Sequence, residues 1–272
     1  MLQSPVRESL ASATVGPGRT GAASRRLEQL LTGPLRPAQV RAVFPSAVYL
    51  DTGDAVVALV TRDAVRLPIA VVLPATVADR PFAGVTVGAP ATVGGGYAFD
   101  VAVHRWWTPR RPPALVRPEH LPQRASRLAR ALLARRRFLS PEVASGLARL
   151  TQDAGADRAL DLVGLGAGLT PAGDDVLGGV LLATRHLGRP STADRLWAVL
   201  APSVRERTTA LSAALLAAAA DGDAVGPAVG VLAALAGHAA LEPALDRLLA
   251  VGASSGSDLA HGLLAGARAV AA

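Results

Sequence analysis

The feature that most constrains the fold is a change of texture across a proline-rich stretch. From Val40 to Val103 the chain consists of apolar, β-branched runs (AVYLD, AVVALVT, IAVVLPAT, VTVGA, YAFDVAVHR). Turn signals separate them at Asp51 to Asp54, Val65 to Pro68, Ala78 to Pro81 and Gly94 to Gly96. Short strands with regularly recurring turns favour a small antiparallel sheet or barrel over βαβ units. TPRRPPALVRPEHLP follows and reads as a linker. Beyond it the sequence is rich in Ala, Leu and Gly with helical periodicity. The fold class expected is α+β: a flexible tail and short helix over residues 1–39, a β-rich domain over 40–108, a Pro/Arg linker over 109–122 and a helical domain over 123–272. Helices are predicted from Arg124, Ser140-Pro141 and Pro171. A long one is predicted from Ser191 through Ala220, with shorter ones over 225–237, 242–251 and 256–270. Trp106 and Trp107, adjacent on an extended segment, point to opposite faces, so at least one is expected to plug an interface.

Missing residue types exclude chemistry. The sequence has no lysine, so it offers no Schiff base and no Walker lysine; it has no cysteine, so no thiol nucleophile, thiolate metal site or disulfide. The net charge of +7 comes entirely from arginine, while asparagine is absent and isoleucine occurs only at Ile69. This bias is that of a GC-rich genome, so neither nucleic acid nor membrane is expected as a partner. No apolar run reaches the ~20 residues of a spanning helix. Met1 to Gly21 is interrupted by Arg7, Glu8, Gly16 and Pro17 and lacks a signal-peptide core. A soluble, cytoplasmic protein is expected.

The chemistry concentrates in Leu162 to Leu182, LVGLGAGLTPAGDDVLGGVLL. Gly164, Gly166 and Gly168 permit positive φ and close backbone approach, Thr170 and Pro171 read as N-cap and first helical residue, and Gly173 follows. The free N–H groups of such a helix start suit an anion. Asp174 and Asp175 then imply a bridging metal, a hydrogen-bond-donating substrate group or helix-start electrostatics. The glycine spacing is not G-x-G-x-x-G, and no ribose-binding acid follows ~20 residues on, so a dinucleotide site is not expected.

A second stretch repeats the pattern. Gly256-Ser257-Asp258, preceded by Ser254 and Ser255, matches Gly173-Asp174-Asp175 and is followed by the same glycine and leucine spacing. If the two helix starts converge, one pocket would hold hydroxyl donors with Asp175 and Asp258 as paired acceptors; chance similarity in a Gly/Ala/Leu-rich chain is the plain alternative. Arg205, Thr208 and Ser212 fall at helical spacing and could complete an anion site, or be solvated and back-bonded. Asp258 and His261 have a D-x-x-H spacing open to a metal, though one pair of ligands is weak support. The expected site thus has Asp174 and Asp175 as catalytic residues. Gly164, Gly166, Gly168, Thr170, Gly173, Arg205, Thr208, Ser212, Ser254, Ser255, Gly256, Ser257 and Asp258 bind substrate. No cofactor is required, and Mg²⁺ could bridge the aspartates.

GLGAGLTPAGDD resembles the signature of a bacterial family whose typical run is close to GLGPGLTPSGDD. SSGSDLAHGLL is similar to that family's second block, near TSGTDMLAGLL, and RTTALSAALLAAAADG resembles the block between them. The resemblance covers about 160–265 and implies relation to the small subunit of oxamate carbamoyltransferase, which moves a carbamoyl group between oxalurate and phosphate. It further implies companion subunits and a small anionic substrate, carbamoyl phosphate or an oxamate-like acid. Ala167 stands for the usual Pro, Ala172 for the usual Ser, and His261 where a small residue is usual. A non-catalytic acid-binding or assembly subunit, and a metal-dependent hydrolase, are the alternative readings.

Overall fold

The computed structural model describes residues 19–152 and 156–272; residues 1–18 of the expected tail lie outside them. The first half is a closed barrel of β1 (Arg19–Ser24), β2 (Arg36–Phe44), β3 (Ala47–Asp51), β4 (Val56–Val60), β5 (Ala70–Val72), β6 (Pro90–Gly94), β7 (Tyr97–Ala98) and β8 (Val101–Trp107), in the order β1-β5-β4-β3-β2-β6-β7-β8. A short α1 (Glu28–Thr32) packs against β6 and β7 and ends at Gly33, as its sequence suggests.

The barrel corrects the antiparallel expectation, because β1 runs parallel to β8 and β4 parallel to β5. RTGAAS has few β-forming residues and reads as tail, yet it is a strand. It pairs with β5 on one side and β8 on the other, joining edges that would otherwise stay open. Val85 to Ala89, expected as a strand, is a turn: the Gly88 amide donates to Val40 O and the Ala89 amide to Thr86 O. The pairing with β2 passes to β6. Every residue of β4 is buried, since α7 (Ala210–Ala220) packs against it and lends Leu211 to the barrel's apolar cluster. A strand covered on both faces reads as a continuous apolar run, and AVVALV is one.

The Pro-rich stretch is laid along the helices, with the Val116 amide donating to Ala236 O and Arg111 paired with Asp223. The helices are α2 (Leu121–Ala134), α3 (Pro141–Gln152), α4 (Ala172–His186), α5 (Pro190–Leu200), α6 (Val204–Arg207), α7, α8 (Gly226–Ala236), α9 (Leu241–Leu249) and α10 (Ser255–Ala271). The long helix expected through Ala220 is three helices. Pro202 supplies no amide donor. Thr208 is extended (φ −138°, ψ −178°), and Thr209 turns its hydroxyl onto the Ser212 amide as the cap of α7.

At the centre lies α4, buried on every side from Val176 to Thr184, with α10 along it. Their backbones meet through glycine. A Cβ on Gly179 would stand 2.4 Å from Leu259 O, and one on Gly262 2.0 Å from Val176 O. Gly178 is different: its Cβ would meet only side-chain carbons, at 3.7 Å or more. Gly262→Ala is therefore expected to cost about 3 kcal/mol in chemical denaturation, the scale of an overpacked core. Gly178→Ala should be neutral or stabilising by up to about 1 kcal/mol, the helix propensity difference.

Candidate functional site

The glycine loop takes the backbone its sequence demands, with φ of +74° at Gly164, +121° at Gly166 and +91° at Gly168. Close packing explains much of this pattern. A Cβ on Gly164 would lie 2.1 Å from Arg207 O, one on Gly173 2.1 Å from Leu162 O, and one on Gly256 1.8 Å from Leu248 O. These glycines let the loop, the α6–α7 connection and the end of α9 press against the two helix starts.

Asp174 is the tie at the centre. It is 2% exposed. Its Oδ1 accepts the Gly164 amide at 2.9 Å, and its Oδ2 accepts the Ser212 hydroxyl at 2.7 Å and the Thr208 hydroxyl. Of the expected trio, Thr208 and Ser212 therefore do meet, though from a connector and from α7 rather than along one helix. Arg205 does not join them. It donates to Gly53 O and Asp54 O in the β3–β4 turn, bracing the barrel, because the break at Thr208 rotates α6 away from α7. The sequence reading passes over Thr209, whose hydroxyl donates to Leu169 O at 2.5 Å and so holds the loop from its far side. The doublet Thr208-Thr209 before an Ala-rich helix is the signal for it.

The starts of α4 and α10 come together. Thr170 is not the cap of α4, which begins at Ala172 with Pro171 (φ −52°, ψ 141°) as the capping residue. Its hydroxyl instead lies 2.8 Å from that of Ser255 on α10. The free amide cradle expected at each start is corrected. Gly173 N–H donates to Leu165 O, while Asp174 and Asp175 N–H donate to Pro171 O. On α10, Gly256 N–H donates to Val251 O, and Ser257 and Asp258 N–H donate to Ser254 O. Leu165 O and Val251 O come from the preceding loops, while Pro171 O and Ser254 O belong to the capping residues themselves.

What remains open is carboxyl. Oδ2 of Asp175 and Oδ2 of Asp258 are buried without a hydrogen-bond partner, and Asp258 is 5% exposed. Burial pushes the Asp175 carboxyl up to about 8. That value already includes the hydrogen bonding from Ser255 and Thr170, which lowers it, and the charges of Asp258 and Asp174, which raise it. Burial also raises Asp258, against the Ser254 hydroxyl and the His261 ring. At neutral pH such a pair retains a proton, presenting an O–H donor beside carboxyl acceptors. Ser257 is buried beside them in sequence, and Ser254 is exposed. His261 turns Nε2 to Arg137 O at 3.0 Å. No group of three His, Asp or Glu side chains able to hold a metal ion occurs among the described residues.

Fold and site define an α+β protein with a barrel packed on a helical half, where two glycine-rich helix starts bury a carboxyl pair. Residues 162–267, from the glycine loop through most of α10, match the family model described as oxamate carbamoyltransferase subunit AllH. Over that stretch the chain is similar to this subunit family, as the motifs suggest, and the barrel lies outside the match. Neither the curated proteins nor the solved structures contain a match. No helix among the described residues is long and apolar enough to cross a membrane.

The Asp175 shift gives a signed pH dependence. Unfolded, its carboxyl ionises near 4; folded, it holds its proton to about 8. Its contribution to stability is full below pH 4 and is lost as pH rises from 4 through 8, where the unfolded chain has released the proton. Asp175→Asn removes that titration. Urea melts at pH 5 and pH 8 should show the variant gaining on the parent by about 2 kcal/mol at the higher pH, a discounted value for the shift.

Proposed function

We propose that this protein is a subunit of a carbamoyltransferase-like complex and that the starts of α4 and α10 receive the amide end of its substrate. The observation that carries the reading is the pair of buried, unpartnered carboxyl oxygens on Asp175 and Asp258. Buried polar groups are ordinarily satisfied, so one orphan on each of two helix starts that meet calls for an occupant. A protonated carboxyl offers a donor and an acceptor on one edge, which an NH₂–C=O group matches with two hydrogen bonds. Carbamoyl phosphate, oxamate and oxalurate all carry that group. The match to a family named for a subunit supports companion chains.

The roles divide within the motif. Asp175 and Asp258 orient the amide, Thr170 and Ser255 supply hydroxyls beside it, and Asp174 holds the frame through Gly164, Thr208 and Ser212. The anionic end of the substrate meets the positive dipole ends of two helices, whose nearest amides are already engaged. Neither first turn carries a basic residue. A cation from a companion subunit would complete charge stabilisation, and transfer then needs mainly positioning. No cofactor is required in this scheme. Mg²⁺ would compete with the shared proton for the two carboxyls.

The test is thermal stabilisation of the purified chain by oxamate, carbamoyl phosphate, oxalate, phosphate and Mg²⁺. The two amide-bearing ligands should raise the melting temperature by a few degrees at saturating concentration. Oxalate, which lacks the amide, should act at least about tenfold more weakly, the scale of one lost hydrogen-bonding group. Asp175→Ala and Asp258→Ala should each abolish the difference. Equal stabilisation by oxalate, or unchanged response in both variants, contradicts the assignment. Carbamoyl transfer by a mixture with companion subunits that survives both substitutions would favour a purely assembling role for this chain.

A further inference from the structure

We propose that the outer wall of the barrel carries a second binding site, for a small planar anion of single-ring size such as an aromatic carboxylate. The register of three strands builds it. Ala22 of β1 is aligned with Val72 of β5 on one side and Arg105 of β8 on the other, and Ser24 is aligned with Trp107. Residues aligned across a sheet share a face, and the small Ala22 side chain between larger neighbours leaves a hollow there. The hollow measures ≈ 210 Å³ and is lined by Ala22, Arg66, Val72, Arg105, Trp106 and Trp107.

Its floor, Ala22 and Val72, is apolar. Trp107 stands fixed at its edge, with the indole N–H donating to Ala22 O at 3.1 Å, so that its polar handle is used and its ring surface is what it has left to offer. Arg105 from β8 and Arg66 from the β4–β5 loop are exposed at the rim. Neither forms a hydrogen bond or ion pair among the described residues. By contrast, Arg19, Arg26, Arg36 and Arg41 of the same half meet carboxylates. Two uncommitted guanidinium groups over an apolar floor edged by the Trp107 indole match a flat ring bearing one negative charge. The ring packs on Ala22, Val72 and indole, while the charge takes paired N–H donors from arginine. The site shares no residue with the α4/α10 pair, so it stands or falls apart from the reading given above.

The probe is benzoate, with acetate as the ringless control and benzamide as the uncharged one. It is titrated into the full chain while the three tryptophan indole N–H signals are followed by NMR. Benzoate should shift the signals of Trp106 and Trp107 saturably and leave Trp197 in place. Acetate and benzamide should need at least about tenfold higher concentration, since each lacks one half of the recognition. The double variant Arg66→Gln/Arg105→Gln, both exposed and therefore compatible with folding, should weaken benzoate at least about tenfold with its melting temperature unchanged. Ala22→Leu, which fills the floor, should remove saturation altogether. The proposal is overturned if benzoate shifts neither indole, if Trp197 moves in parallel, if benzamide binds as well, or if the double variant binds benzoate like the parent.

Discussion

The approach of α4 and α10 to backbone contact at Gly179 and Gly262 is the constraint on which the rest of the helical half depends. It fixes two helices side by side, so the residues at their starts face each other whatever the loops do. Thr170 then meets Ser255, and Asp175 and Asp258 are enclosed together. Alanine at either glycine would place a methyl group inside the neighbouring backbone. This is a stronger reason for glycine than conformational freedom, because helical glycine is otherwise unfavourable.

Two adjacent carboxylates in one motif have opposite fates because their surroundings differ. Asp174 accepts an amide and two hydroxyls, which makes it a structural tie between the glycine loop, the Thr208 connector and α7. Asp175, one residue on, is half-buried near two other acids with only hydroxyl neighbours to help, and it holds its proton to about 8. The motif thus separates framework from chemistry by about a third of a helical turn. In the proposed reading, the neutral carboxyl is what lets a site with no lysine recognise an amide.

Much of this was legible in the sequence, and the failures share a cause. Positive φ at Gly164, Gly166 and Gly168 and the general α+β division follow from local chemistry that the fold left intact, and the repeated motif pointed to the meeting of the two helix starts. β1 was illegible because RTGAAS owes its extended form to the two strand edges it joins rather than to its own residues. Arg205 was misplaced because Thr209 caps a new helix, breaking the periodicity that would have aligned it with Ser212. The free amides expected at the helix starts failed for a related reason, since at each start one loop carbonyl, Leu165 O or Val251 O, returns to take an amide. Propensity and spacing read single segments, and each error lies where a second segment decides the first.

The central claim is that the α4/α10 junction keeps a carboxylic acid protonated at neutral pH for an amide to meet. The most direct measurement is an NMR titration of the aspartate ¹³Cγ signals, with Asp175 assigned by loss of its resonance in Asp175→Asn. The account predicts a midpoint for Asp175 near 8, set apart from the exposed aspartates, and a change in that midpoint when oxamate is added. A midpoint near 4, indistinguishable from an exposed aspartate, would contradict it.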